Sequence, residues 1–292
     1  KRELHLYAMS DYMPLDVIKG FEETYNAKVH YDNFSSNEEL LAKLQGGTGG
    51  YDVVIASDYI IRAMIEGNLI QSLNKEKLPN LNQLAAEFKD VPYDPGENYT
   101  VPYTWGTTGL IYNSKHVKKN TQSWNMLFDK ENAKRIALLD DQREVLGAML
   151  YKLGYSINSI SEPELRQAQK LLLDLKPNVR VFSSDPKQHL LNGDVWIAQV
   201  YSGDANQVMK ANPDFKYVTP QEGSVIWIDN FAIPSTAPQA DLAHDFINYV
   251  LDGPVSVKVT QALQYSSPHS VLENAKVRED LKPGFIRKLN AK

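Results

Sequence analysis

The feature that most constrains this chain is a repeated strand–helix–strand order written in short apolar runs. Leu4-His5-Leu6-Tyr7-Ala8 alternates apolar with polar or small residues as a strand does, and Pro14 opens a helical stretch through Phe21. Lys28-Val29-His30-Tyr31 predicts a second strand. In the next helix, Ser36 stands as N-cap with Glu39 three residues on, the spacing of a capping box, and Gly46-Gly47-Thr48-Gly49-Gly50 ends it. Tyr51-Asp52-Val53-Val54-Ile55-Ala56 is apolar apart from Asp52, as expected of a strand covered on both faces. Such an order predicts a mostly parallel sheet, doubly wound with helices.

The texture changes after Pro92. Tyr93-Asp94-Pro95-Gly96-Glu97-Asn98 is turn-rich and leads through Val101-Pro102-Tyr103-Thr104-Trp105-Gly106 into the strand Leu110-Ile111-Tyr112, which predicts a crossing into a second α/β region. There the patterning predicts a strand over 135–139, helices over 145–153 and 162–175, and strands over 195–201 and 215–218. Asn230-Phe231-Ala232-Ile233-Pro234 is strand-like again and reads as the return crossing. Helices over 240–251 and 254–263 follow, then the loop Tyr265-Ser266-Ser267-Pro268-His269. At roughly 100–200 residues per domain, 292 residues suggest two domains.

Several function classes are excluded by what the sequence lacks. Without cysteine it has no disulfide, no thiolate nucleophile and no Cys-ligated metal. Lys+Arg 31 against Asp+Glu 36 leaves a net charge of −5 and no dense basic stretch, which argues against nucleic acid and anionic lipid. No apolar run reaches the roughly 18 residues of a membrane span, and the first residues lack a signal peptide's apolar region. The six histidines show no His-x-x-x-His spacing, and no Gly-x-Ser-x-Gly elbow exists. The glycine cluster at 46–50 lacks Gly-Lys-Ser/Thr and precedes a strand, so it is a helix-to-strand turn. Asp140, Asp141 and Glu144 are open to two readings, an acid/base pair or a solvated helix N-terminus.

Acidic residues recur beside aromatics at the ends of the expected strands: Ser10-Asp11-Tyr12, Ser57-Asp58-Tyr59, Tyr201-Ser202-Gly203-Asp204 and Trp227-Ile228-Asp229. In open α/β sheets ligands bind beyond the carboxyl ends of strands, so these clusters are expected to converge on one crevice. A carboxylate accepts charge-assisted hydrogen bonds from an ammonium, while an aromatic face attracts the cation and covers its methylenes. The combination points to an organic cation.

Ala8-Met9-Ser10-Asp11-Tyr12-Met13-Pro14, Phe34-Ser35-Ser36-Asn37-Glu38, Tyr51-Asp52-Val53-Val54, Val101-Pro102-Tyr103-Thr104-Trp105-Gly106, Asp140-Asp141-Gln142-Arg143-Glu144-Val145 and Trp227-Ile228-Asp229 resemble, in order along nearly the whole chain, the bacterial spermidine/putrescine-binding proteins of polyamine ABC transporters. The resemblance implies an α/β fold of the two-lobed periplasmic-binding-protein type (type II), each lobe a mixed, mostly parallel sheet flanked by helices, with the ligand in a cleft between lobes. Lobe 1 is expected over 1–104 and 230–275 and lobe 2 over 105–229 and 276–292, with crossings near 103–106, 228–232 and 274–278. Position by position, the implied ligand contacts are Ser10, Asp11, Tyr12, Ser57, Tyr59, Asp141, Glu144, Tyr201, Asp204, Trp227, Asp229 and Tyr265. Met9 stands where the family usually has tryptophan, as does Tyr201, and the C-terminal tail from Leu281 is shorter than the family's.

These readings imply reversible capture of a polyamine without chemistry, no cofactor and no metal, and delivery by a monomer to an ABC permease from a periplasmic or lipid-anchored location. Asp141 with Glu144 follows the spermidine-type pattern and Asp204 the putrescine type, with a slight lean to spermidine because five carboxylates exceed what a diamine needs. A receptor for another organic cation, a polyamine sensor and a carboxylate-dependent hydrolase remain as alternatives.

Overall fold

The computed structural model describes residues 2–47 and 49–290. In chain order it forms β1 (Arg2–Met9), α1 (Leu15–Tyr25), β2 (Ala27–Phe34), α2 (Asn37–Gln45), β3 (Val53–Ser57), α3 (Asp58–Glu66) and β4 (Thr100–Asn113). Next come β5 (Ile136–Leu138), α4 (Gln142–Lys152), α5 (Glu162–Leu175), β6 (Val179–Phe182), α6 (Lys187–Leu191), β7 (Ile197–Tyr201), α7 (Ser202–Ala211) and β8 (Phe215–Val218). The chain closes with β9 (Val225–Ala232), α8 (Ala240–Val250), α9 (Gly253–Leu263) and α10 (Phe285–Asn290). It divides into two units, one from 1–105 with 227–292 and one from 106–226.

In the first unit β1 lies parallel to both β2 and β3, while β9 runs antiparallel to β3. Ser36 caps α2 as its position predicts, accepting from Glu39 N at 3.2 Å, and Glu39 reciprocates one residue early by accepting from Ser35 N at 2.8 Å. The core on α2 and α3 gathers Leu40, Val54, Ile61 and Met64, each fully buried, and burying an aliphatic side chain of this size contributes about 1.5–3 kcal/mol.

In the second unit β5 is parallel to β6 and β7, and β4 is antiparallel to β7 and β8. Successive residues of its strands enter different cores. Leu110 and Ile197 pack with Trp124 and Met149, whereas Ile111 and Ala198 pack with Val208 and Phe215. Both faces are therefore covered, which is why these strands read as continuous apolar runs. Gly109 permits the close approach of β8, because a Cβ there would lie 2.4 Å from Val218 O.

The expected boundaries need correction at two places. Residues 276–290 belong to the first unit, where Leu281 and Ile286 are buried; Ser267 N donates to Leu281 O at 3.2 Å and Arg287 pairs with Glu87 at 2.6 Å. Among the described residues there is thus no crossing near 274–278, and the chain passes between units only at 105/106 and 226/227. Trp227 and Asp229 also belong to the first unit, because β9 is laddered along β3 from Ser57↔Asp229 to Val54↔Ala232. Two helices follow their strands with no intervening loop, α3 after β3 and α7 after β7. Neither helix is among the elements that the sequence patterning predicts.

Candidate binding site

In the first unit the site is built from the end of β1. The chain turns at Asp11, whose φ of 54° lies in the left-handed region that Asp tolerates better than most residues. Tyr31 on β2 clamps the turn, donating its hydroxyl to Met9 O and accepting from Tyr12 N at 3.0 Å. Asp11 and Ser10 are left exposed and Tyr12 is driven inward, 5% accessible.

Tyr12 donates its hydroxyl to Asp229 Oδ2 at 2.5 Å. Its single proton is thereby used, so Thr104 Oγ1, also in contact with the phenol oxygen, is the donor there. Ser57 Oγ donates to Asp229 Oδ1 at 2.6 Å, and Asn37 holds Ser57 by donating to its Oγ and accepting from its N, both at 3.0 Å. A buried carboxylate with a hydroxyl donor on each oxygen still has acceptor capacity for further N–H groups. Burial first, and the Asp229 carboxylate second, push the Tyr12 phenol well above its ordinary pKa, so it stays a protonated donor.

Aromatic rings surround Tyr12, which holds this carboxylate. Tyr12 meets Tyr103 and Tyr265 edge to face, each at 5.6 Å between centroids, and Trp227 meets Tyr265 at 5.4 Å. Tyr59, by contrast, directs its hydroxyl to Glu38 Oε1 at 3.1 Å, and Asp58 accepts from Ile228 N at 3.3 Å. Asp229 lies inside β9 and not beyond a strand end. It reaches the carboxyl edge of β3 because β9 runs the opposite way, so its early residues pair with Ser57.

The loop that brings in Tyr265 rests on His269, which is 2% exposed. Nε2 donates to Leu251 O at 2.8 Å and Nδ1 accepts from Val271 N at 3.0 Å, a pairing that only the neutral Nε2–H tautomer makes. Burial lowers its pKa, the bond to Leu251 opposing. As pH falls through about 6.5 the unfolded chain protonates before the folded one, so this part of stability is present above that pH and lost below it. His269→Gln is expected to flatten the fall of Tm between about pH 7 and pH 5, read by thermal unfolding across that window. A variant with the wild-type slope would assign the acid sensitivity elsewhere.

The second unit carries a separate group. Asp141 caps α4, with Oδ1 accepting from Glu144 N at 3.1 Å, and Tyr201 at the end of β7 brings its hydroxyl to 3.5 Å from Oδ2. Gln199, fully buried on β7, donates to Glu144 O at 2.9 Å and so ties the start of α4 to the sheet. Asp141 and Glu144 are 6% and 8% exposed. Tyr151 and Tyr217 both have raised pKa values, through burial first and with the Glu144 charge as a further cause, which sets that carboxylate among aromatic side chains. Asp204 is 2.9 Å from Lys187 Nζ, an ion pair whose side chains are 12% and 16% exposed.

Of the expected residues, the first unit gathers Tyr12, Ser57, Trp227, Asp229 and Tyr265, and the second gathers Asp141, Glu144 and Tyr201. Gln199 and Lys187 are not named by the sequence reading, and Tyr31, Asn37, Tyr103 and Thr104 are quoted in it without a role. Thr104 and Gln199 had one available signal, a polar residue inside an apolar strand run. Tyr31 and Lys187 had none.

Two α/β units, each with buried carboxylates beside tyrosines, define a two-lobed solute-binding protein of the periplasmic type. Residues 16–282 match the bacterial extracellular solute-binding proteins, and the chain belongs to that family. It is 34% identical over 280 residues to spermidine/putrescine-binding periplasmic protein 1 of Haemophilus influenzae, a match covering 94% of this chain and 78% of that one. It is also 34% identical to the putrescine-binding periplasmic protein SpuD of Pseudomonas aeruginosa, over 97% of this chain and 83% of that one. A solved ABC-transporter structure from Listeria monocytogenes superposes with a TM-score of 0.90 at 33% identity, covering 100% of this chain and 97% of the other. Among the described residues no helix is long and apolar enough to cross a membrane.

Proposed function

We propose that this protein captures a polyamine outside the cytoplasm, spermidine ahead of putrescine, and delivers it as a monomer to the membrane permease of an ABC transporter. The observation that carries the reading is Asp229, buried and oriented by Tyr12 and Ser57, with Tyr12 packed on Tyr265 and Tyr265 on Trp227. An ammonium group leaving water needs such a partner, because an unpaired buried charge costs several kcal/mol. Asp141 and Glu144, with Tyr201, offer a second acidic position, and the names of the relatives point the same way. Carboxylate-bearing solutes are rejected by the same charges. Asp141 spends one oxygen on the cap of α4, which suits a fixed acceptor better than a proton shuttle.

Titration calorimetry with putrescine, spermidine, spermine and a set of amino acids tests the reading. Saturable binding of the polyamines, tightest for spermidine and weakened by salt, is the expected result. Binding of an acidic or zwitterionic amino acid in place of every polyamine would overturn it, and putrescine binding more tightly than spermidine would overturn the ranking.

A further inference from the structure

Away from these carboxylates, the paired strands β1 and β2 present a cluster with metal-ligand chemistry. Glu3 and His5 stand two apart on β1 and so project from the same face, while His30 is the register partner of His5 on β2. The two imidazoles stack with centroids 4.7 Å apart and planes inclined by 15°. Glu3 Oε2 lies 3.4 Å from His30 Nε2, and one ligand atom from each of the three residues falls within 4.8 Å of the other two. His30 Nε2 is shielded from solvent yet makes no hydrogen bond among the described residues. Lys28, the register partner of Glu3, sends its ammonium to Glu22 at 3.0 Å. The side chains of His30 and Glu3 remain 42% and 62% exposed, which leaves an approach from solvent.

We propose that Glu3, His5 and His30 bind a divalent transition-metal ion of the zinc class, which clamps β1 to β2. Imidazole nitrogen and carboxylate oxygen are the donors zinc takes, at about 2.0–2.2 Å, with a fourth position left to water. Ligand atoms around such an ion stand about 3.3–3.6 Å apart, so the present spacing closes by side-chain rotations that splay the stacked rings. The strand ladder from Arg2↔Ala27 to Met9↔Phe34 already fixes the three backbones. Two nitrogens in three ligands select zinc, nickel or copper over magnesium or calcium, which prefer oxygen alone. A search for His-x-x-x-His cannot find this arrangement, because strands present ligands two apart and across the ladder.

Titration of chelator-treated protein with zinc chloride is expected to saturate at one ion per chain and to raise Tm by about 5 °C when zinc is about 100-fold above Kd. Magnesium chloride is expected to do neither. His5→Asn and His30→Gln should each abolish the shift while leaving metal-free Tm and polyamine affinity at wild-type values. In the wild-type protein, zinc should move the imidazole NMR signals of His5 and His30 and leave those of His116, His189, His244 and His269 in place, a readout that survives if a variant fails to fold. Absence of saturable binding, retention of the shift in both variants, or movement of the other histidines instead would each overturn the proposal.

Discussion

Asp229→Asn is expected to weaken polyamine binding by about 2–5 kcal/mol, a factor between roughly thirty and several thousand in Kd. The substitution keeps size and shape but removes the charge. It also reverses part of a directed chain. Tyr12 and Ser57 both aim protons at Asp229, one at each oxygen, whereas an amide accepts at one atom only and donates from the other. One hydroxyl must therefore turn, and Tyr12 can do so only by giving up its role as donor and accepting from the amide as it does from Thr104. The fold is expected to survive, since β9 keeps its ladder with β3 through backbone groups. Calorimetry with spermidine, paired with a thermal melt, separates the two effects. A variant that melts normally and binds with wild-type affinity would show that Asp229 does not face the ligand.

Asp94→Ala is expected to cost about 3–5 kcal/mol of folding stability, read as a lower urea midpoint. Asp94 is 1% exposed and its carboxylate is the acceptor for a whole turn. Asn98 N reaches Oδ1 at 3.1 Å, while Tyr99 N, Thr100 N and Thr100 Oγ1 reach Oδ2 at 3.0, 2.8 and 2.8 Å. The turn it organises needs left-handed backbone at Gly96 and Glu97, with φ of 79° and 54°. That turn launches β4, which carries Thr104 to Tyr12. Asp94→Asn retains one acceptor and is expected to lose less than the alanine variant. Equal midpoints for wild type and Asp94→Ala would show that solvent satisfies these donors as well as the carboxylate does.

Much of the architecture is legible because periodicity reports burial. The strand over 215–218 and the helix over 162–175 fall where the apolar spacing places them, and α8 stops one residue short of its expected end. What periodicity cannot report is the direction of a strand. Trp227-Ile228-Asp229 has the same pattern whichever way β9 runs, yet only the antiparallel pairing sets Asp229 beside Ser57. The unit to which the tail belongs is hidden for a related reason. Leu281 and Ile286 are apolar enough to be buried in either unit, and only their partners decide which. The acid–aromatic juxtapositions name Tyr12 and Asp229, which the structure brings together, because each acid and its aromatic neighbour stand close in sequence. Partners from distant segments, such as Tyr31 on Tyr12 and Lys187 on Asp204, leave no local trace.

The Lys187–Asp204 pair has a consequence for how selectivity is read from such sites. Lys187 brings to Asp204 the same functional group that a polyamine carries, already tethered and already at 2.9 Å. Replacing one primary ammonium by another at that carboxylate is an exchange between equals, in which Coulomb attraction lost to the lysine cancels attraction gained from the solute. Asp204 then behaves as an occupied berth. Counting carboxylates therefore overstates the number of amino groups a site can reward, and the useful count is of carboxylates minus the cations the chain itself supplies.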